Sequence, residues 1–333
     1  MAAAVLFFGF ATGNADAADV NIRLGLIAPA EHPVTLASQR FKELVEERSN
    51  GNVAVTVYPG GQLGGEIELQ DQVALGTIQM ANIGTPVTSG KLKKLDILNM
   101  YYLWEDREHM NAVLTGPIGN DLWAEYRDTT GIEVIAANWQ QGARQTLTAN
   151  PATNPAEMSG IKIRVTAGVP IYNDLWTAMG ANPVPLAFPE AYSAMSTGVV
   201  DSVELPLDWM INGGFTDLAK TINLTNHYIY ANVMIANANF LSQLPEETRT
   251  MIVDAAKEAG KYNNKLVLEQ ENELRRQLEE GGVEFAETDV EAFRQAIQPV
   301  FERNMDVWGR ELYKRVTEAA SREDESEQAQ DSR

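Results

Sequence analysis

Between Pro245 and Gly281 the chain runs without a proline and with a single glycine, Gly260. Proline breaks a helix interior because it lacks an N–H and crowds the preceding turn, but it is tolerated at a helix start. A glycine pair such as Gly281-Gly282 supplies a stop. The stretch predicts one continuous helix, on the order of 50 Å long at 1.5 Å per residue. That length outruns one small domain. In a chain of 333 residues, enough for two domains of ordinary size, the helix is expected to run across both.

The preceding chain alternates strands and helices. Val20 to Ile27 reads as a strand, and Val34 to Arg48 as an amphipathic helix with Phe41, Leu44 and Val45 on one face. A strand over Val53 to Tyr58, a helix over Glu66 to Leu75 and a short strand over Ile78 to Ile83 follow. Glu108 to Tyr126 is expected as one helix and Ile132 to Ala137 as a strand. A second cycle starts with a strand opened by Arg144. It continues with strands at Ile161 to Val165, Pro183 to Leu186 and Val199 to Glu204, and helices at Ile171 to Met179 and Pro189 to Ser196. Such alternation argues for α/β layers with mainly parallel pairing.

At the N-terminus, Ala2 to Thr12 is apolar but too short to span a bilayer, and Asn14-Ala15-Asp16-Ala17 follows with small residues at Ala15 and Ala17. This order fits a signal peptide over residues 1–17, cleaved to leave Ala18, and hence export to the periplasm. The Lys or Arg expected ahead of the apolar run is missing, and a buried apolar N-terminus is the alternative. No other stretch approaches the roughly 20 apolar residues of a membrane helix, so direct membrane insertion is not expected. Residues 319–333 are polar and acidic and are expected to form a disordered tail.

The net charge of −20, from 26 basic and 46 acidic residues, argues against nucleic acid or an anionic membrane surface as partner. Both require clustered Lys and Arg. With no cysteine, disulfides, thiolate zinc sites and cysteine nucleophiles are excluded. His32, His109 and His227 form no two-histidine metal spacing, and neither a G-x-S-x-G elbow nor a P-loop is present. No metal, cofactor or catalytic constellation is implied. The run Gly60-Gly61-Gln62-Leu63-Gly64-Gly65 precedes a helix. It lacks the lysine of a phosphate cradle, and a strand-to-helix turn is the simpler reading.

Two arginines stand out: Arg144, in Gln141-Gly142-Ala143-Arg144-Gln145-Thr146, and Arg164, in Gly160-Ile161-Lys162-Ile163-Arg164-Val165. Alternation puts Ile161, Ile163 and Val165 on one strand face and Arg164 on the other. A guanidinium fork on a rigid strand suits bidentate carboxylate binding, although an edge-strand surface arginine gives the same pattern.

The chain also resembles a known family over about Val20 to Trp308. The stretches that carry the resemblance are Glu31-His32-Pro33, Tyr58-Pro59-Gly60-Gly61-Gln62-Leu63-Gly64-Gly65-Glu66, the Arg164 strand, and Met179-Gly180-Ala181-Asn182-Pro183-Val184-Pro185-Leu186-Ala187-Phe188. Glu190, Tyr192 and Gly198-Val199-Val200-Asp201 complete the set. In order and at matching spacing, they resemble the dicarboxylate-binding (DctP) branch of the solute-binding proteins of tripartite ATP-independent periplasmic (TRAP) transporters.

The resemblance implies a two-domain periplasmic-binding-protein-like α/β fold with mixed sheets, hinge strands and a long domain-spanning helix. Residues 18–141 plus 231–270 would form the first domain, and 142–230 plus 271–318 the second. It implies capture of a small organic carboxylate between the domains and delivery to integral-membrane TRAP subunits, by a monomer that is not an enzyme. A ligand-sensing partner of a signalling receptor would share the fold, and an enzyme on the same frame is the remaining alternative. By the same resemblance Arg164 is the main carboxylate ligand, Arg144 assists, Glu66 contacts substrate or orders the site, and Phe188 lines the cleft.

The family pattern D-G-Q-E-N is replaced by Asp201-Ser202-Val203-Glu204-Leu205. Leu205 cannot make the hydrogen bond of the asparagine that helps hold the ligand. Asp208 and Trp209, just beyond, either compensate or only cap and pack the following helix. Trp139, ending a strand, and His32, in a loop, are further candidates for the cleft.

Overall fold

A computed structural model describes residues 18–319. The expected signal peptide over residues 1–17 and the tail, beyond its first residue Ala319, lie outside the described residues. The first elements are β1 (Val20–Leu26), α1 (Pro33–Arg48), β2 (Val53–Tyr58), α2 (Glu66–Leu75) and β3 (Met80–Gly84), followed by two 3₁₀ segments over Thr85–Gly90 and Lys93–Asn99. Next come α3 (Arg107–Thr115), α4 (Pro117–Thr130) and β4 (Ile132–Thr148). The middle of the chain supplies β5 (Lys162–Thr166), α5 (Pro170–Ala178), β6 (Asn182–Leu186), α6 (Phe188–Ser196), β7 (Ser202–Leu205) and α7 (Leu207–Asn212). It closes with β8 (Thr221–Asn237), α8 (Ala238–Gln243), α9 (Glu246–Glu280), β9 (Glu284–Glu287), α10 (Val290–Trp308) and α11 (Arg310–Thr317).

The fold is α/β with two halves. The strands form one mixed sheet ordered β2-β1-β3-β8-β4-β7-β5-β6, with β9 on β8. Two strands of 17 residues, β4 and β8, run antiparallel through both halves. Their pairing slips at several points, including between Gln140 and Ala143 and between Arg144 and Thr146. Such irregularities bend and twist a ladder, which suits strands that turn from one half into the other. The sheet is thus continuous, with β1 to β3 on one side of the bend and β5 to β7 on the other.

Several expectations are corrected. The stretch read as one helix from Glu108 to Tyr126 is two, because Pro117 follows Gly116 and begins a new helix where its missing N–H has no consequence. The strand ended at Ala137 and the one opened by Arg144 are both parts of β4, whose middle (Asn138 to Ala143) is too polar to read as a strand by alternation. The crossing strand β8 is not evident from its sequence, since Asn223, Asn226, His227 and Asn232 interrupt its apolar pattern. The short strand expected from Ile78 is shifted to begin at Met80.

The long helix is 35 residues, capped by Pro245 and Gly281, and packs on α1, β4, α7 and β9. Gly260 lets it approach β4: a Cβ there would lie 2.6 Å from Asn138 Oδ1. Asn264 and Asn263 fasten the contact, Asn264 by accepting from Gln140 N–H (2.8 Å) and donating to the Asn138 carbonyl (2.9 Å), Asn263 by donating to the Gln140 carbonyl (2.7 Å). Gly260→Val is expected to destabilise the protein by about 1–3 kcal/mol through this overpacking, read as a lower midpoint in urea unfolding.

Candidate functional site

The site is built where the crossing strands meet the ends of β3, β5 and β7. Arg164, on β5, is 2 % exposed, and its Nε and Nη2 both donate to the Leu186 carbonyl at 2.9 and 2.7 Å. Among the described residues no carboxylate lies within ion-pair distance of it, and no hydrogen bond from its Nη1 is present. Burial draws its pKa down to about 10, which the acidic neighbours Glu204 and Glu66 only partly offset. The group stays charged at neutral pH: a buried cation whose counter-charge is not supplied by direct contact, a costly arrangement unless an anion is brought to it.

Arg144, on β4, is differently placed. Its Nε and Nη2 grip the Glu204 carboxylate, with Nη2 at 2.7 Å from Oε1 and 2.6 Å from the Glu204 carbonyl, and its guanidinium lies 4.8 Å from the centre of the Tyr230 ring. Glu204 also faces His227 Nε2 at 3.3 Å, while His227 Nδ1 meets Thr225 Oγ1 at 2.8 Å. All three groups are buried. Burial works against the charge on Glu204, but Arg144 and His227 outweigh it and hold the carboxyl below its ordinary range. Burial likewise opposes the charge on Arg144, and Glu204 more than compensates. His227 is pushed down, chiefly by burial, and stays neutral.

From the other half, Glu66 opens α2 and accepts the Gly84 N–H at 2.6 Å. Burial raises its pKa despite that hydrogen bond and the nearby Arg164 and Arg144. His32 caps α1, its Nδ1 accepting from Val34 N–H at 3.2 Å, so the ring proton sits on Nε2. That nitrogen lies 3.1 Å from Asp208 Oδ2, too far off line for a formed hydrogen bond. Asp208, in the first turn of α7, accepts the Trp209 N–H on its Oδ1 at 3.0 Å, so its side chain also serves the start of that helix, whose N-cap Pro206 has no side-chain cap. Trp209 lies between His32, whose ring is tilted against it with centroids 4.3 Å apart, and Phe188, which meets it edge-on at 4.9 Å.

Arg164, Arg144, Glu66, His32, Asp208, Trp209 and Phe188 are thus linked by contact or by charge. Leu205 is buried at the end of β7 opposite Gln145, where it brings an apolar side chain and no donor. Trp139 is wholly buried on β4 opposite Asn232; its indole N–H has no partner, and it shares no hydrogen bond or ring stacking with the others among the described residues. Glu204, His227 and Tyr230 join the site without having been singled out by the sequence. Glu204 lies within the departed motif, but only its partner Arg144, distant in sequence, reveals its role.

The glycine run is a turn, with Gly60, Gly61 and Gly64 at positive φ, and it is also one lip of the cleft. A Cβ on Gly61 would sit 3.0 Å from Pro189, and one on Gly65 3.4 Å from Ala187, both near the start of α6. Across the mouth, a Cβ on Gly90 would meet the Gly168 carbonyl at 2.8 Å, and one on Gly168 the Ile67 side chain at 2.9 Å. Among the described residues, no group of three or more acidic or histidine side chains is placed to hold a metal ion, and no helix is long and apolar enough to cross a membrane.

Two halves joined by crossing strands, with a buried arginine between them, make a solute-binding protein. The family described as bacterial extracellular solute-binding protein, family 7 (DctP), matches residues 24–306. A solute-binding protein of Roseobacter denitrificans is 31% identical over 89% of this chain and 90% of its own length. Its crystal structure, described as a TRAP periplasmic solute-binding protein with bound L-galactonate, superposes with a TM-score of 0.83, at 29% identity over 90% of this chain and 98% of that one. The 2,3-diketo-L-gulonate-binding periplasmic protein of Escherichia coli is 29% identical over 89% of this chain and 85% of its own length. A TRAP binding protein of Bordetella, with ligand density assigned to pantoate, gives a TM-score of 0.86 at 26% identity over 90% and 99% of the two chains. The chain belongs to this family of TRAP transporter solute-binding proteins.

The Arg144–Glu204–His227 cluster sets an acid limit on stability. His227 takes up a proton near its ordinary value of about 6.5 when unfolded but resists it when folded. Its contribution is therefore present above about pH 6.5 and lost as pH falls; Glu204 adds a further loss below its ordinary value of about 4.3. Urea midpoints are expected to fall from pH 7 to pH 5, and His227→Gln to flatten that slope. Glu204→Gln, which strands the Arg144 charge, is expected to cost about 3–5 kcal/mol at pH 7 in the same assay.

Proposed function

We propose that this chain captures a small organic carboxylate between its two halves and hands it to the integral-membrane subunits of a TRAP transporter. The observation that carries the reading is Arg164: a buried, charged guanidinium with no carboxylate in contact among the described residues, near Glu66 and Tyr230, beside which Trp209 and Phe188 pack. A ligand carboxylate would complete its hydrogen bonds and its charge together. Arg144, already neutralised by Glu204, would act as a fixed wall of the site and as a support for the hinge.

Residues 18–141 with 231–270, and 142–230 with 271–318, would move as the two domains. The slip in the β4–β8 ladder between Gln140 and Ala143 supports that division, as does the contact of α9 with elements of both halves. Closure would bring the glycine lips together and exclude water. Export with removal of residues 1–17, a periplasmic location, a monomeric state and the absence of catalysis belong to the same reading.

A thermal-shift screen of carboxylates that includes L-galactonate, pantoate, 2,3-diketo-L-gulonate and C4-dicarboxylates identifies the ligand, because binding to the folded state raises its melting temperature. In calorimetry with the strongest of these, Arg164→Ala is expected to weaken binding at least 100-fold, on the order of 3 kcal/mol; wild-type affinity in that variant rejects the site. Gly90→Ala touches no predicted ligand group. By obstructing the closed mouth it is expected to weaken binding about tenfold, roughly 1.4 kcal/mol, while leaving the ligand-free melting temperature unchanged.

A further inference from the structure

In each half the strands that lead to the cleft run parallel, β1 with β2 and β3 in one, β5 with β6 and β7 in the other. Ligand crevices form beyond the carboxyl ends of such strands, where the connecting loops leave polar groups free to turn inward. Glu66 follows β2, Phe188 follows β6, and Arg164 lies within β5. His32 follows β1 and Asp208 follows β7, so the two halves bring them together across the cleft.

Both are buried, His32 fully and Asp208 to 4 % exposure. Each has one polar atom engaged locally. His32 Nδ1 accepts the Val34 N–H, and Asp208 Oδ1 accepts the Trp209 N–H. The other atom of each, His32 Nε2 and Asp208 Oδ2, has no hydrogen-bond partner among the described residues. The two lie 3.1 Å apart but off line, so the Nε2 proton is not directed at Oδ2. A buried polar atom without a partner is costly, and a donor beside an acceptor marks a place for a group that satisfies both.

A hydroxyl does so with one oxygen: it accepts from Nε2 and donates to Oδ2. A keto oxygen only accepts and leaves Oδ2 unmet. A carboxylate also only accepts, and it sets a like charge against Asp208. The pair stands apart from Arg164. Tyr230 is close enough to Arg164 to feel its charge, the Trp209 ring lies 6.5 Å from Tyr230, and His32 packs on Trp209 at 4.3 Å. One ligand reaches both places only with its hydroxyl distant from its carboxylate.

We propose that His32 and Asp208 together read a hydroxyl at the end of the ligand remote from its carboxylate, so that the ligand is a hydroxylated monocarboxylate and not a dicarboxylate. The proposal deepens the carboxylate reading of the cleft and rests on it.

Calorimetry with two matched sets of acids tests it, the members of each differing only at the remote carbon. One set is γ-hydroxybutyrate, butyrate and succinate; the other is L-galactonate, L-fuconate (the same acid without the terminal hydroxyl) and galactarate. The wild type is expected to bind the hydroxy acid of at least one set roughly tenfold or more tighter than both its partners, because a missing hydroxyl leaves the buried pair unmet. Asp208→Asn keeps an acceptor for the Trp209 N–H but presents a second donor beside His32. It is expected to cut the preference over the dicarboxylate about tenfold, with the dicarboxylate itself binding more tightly than to the wild type. His32→Asn keeps a capping side chain on α1 while withdrawing the Nε2 donor, and is expected to weaken the hydroxy acid about tenfold more than the deoxy acid. A pair that only held the two halves together would move all three acids by one factor, and that result overturns the proposal. So does a deoxy acid or dicarboxylate that binds as tightly as the hydroxy acid in both sets. Failure of both hydroxy acids to bind, while another carboxylate binds in an Arg164-dependent way, also overturns it and leaves the carboxylate reading standing. If no carboxylate binds, or Arg164→Ala keeps wild-type affinity, the carboxylate reading itself fails and this proposal falls with it.

Discussion

The buried contact between Arg144 and Glu204 is the constraint around which the middle of this molecule is arranged. It joins β4 to the end of β7 at the point where the crossing strands bend, and His227 from β8 completes it. A guanidinium and a carboxylate removed from water each carry a large desolvation cost, and mutual attraction offsets it only when the geometry is close and the remaining donors are satisfied. Here the fork is occupied twice by the carboxylate and once by the Glu204 carbonyl, so the three strands cannot shift past one another without exposing a buried charge. That fixes the frame on which the second arginine is held.

Arg164 stands in contrast to this pair. The two guanidiniums are comparably buried and share the same neighbourhood, yet Glu204 neutralises one and leaves the other without direct contact. Had both been paired, the cleft would hold no unbalanced charge and little reason to take up an anion. The aromatic wall of Phe188, Trp209 and Tyr230 excludes water and so strengthens whatever electrostatic contact forms there. Leu205 narrows the polar complement of that region, where Glu66 and the facing His32 and Asp208 are the remaining polar groups.

Much of the frame could be read in the chain. The long helix follows from the absence of proline and from its caps, and the β1 to α2 elements from their period. The crossing strands could not be read so easily. In β8 the polar residues Asn223, His227 and Asn232 are buried and serve tertiary contacts, and the exposed Asn226 sits at positive φ against Gln145, so alternation fails there. Glycines 61 and 65 look like turn formers in sequence, and they are; that they also abut α6 depends on how the two halves meet.

By itself the sequence determined the type and order of most elements, the length of α9, and the ordered motifs whose resemblance to the family underlies the proposal for Arg164. These depend on local backbone preference and spacing, which neighbours in the chain already fix. Only the tertiary structure decided which arginine is paired with a carboxylate. Arg144 and Glu204 are separated by 60 residues, and nothing in either neighbourhood announces the other. Pairing, burial and the resulting charge balance are properties of what packs against a side chain, and that is set by the fold as a whole.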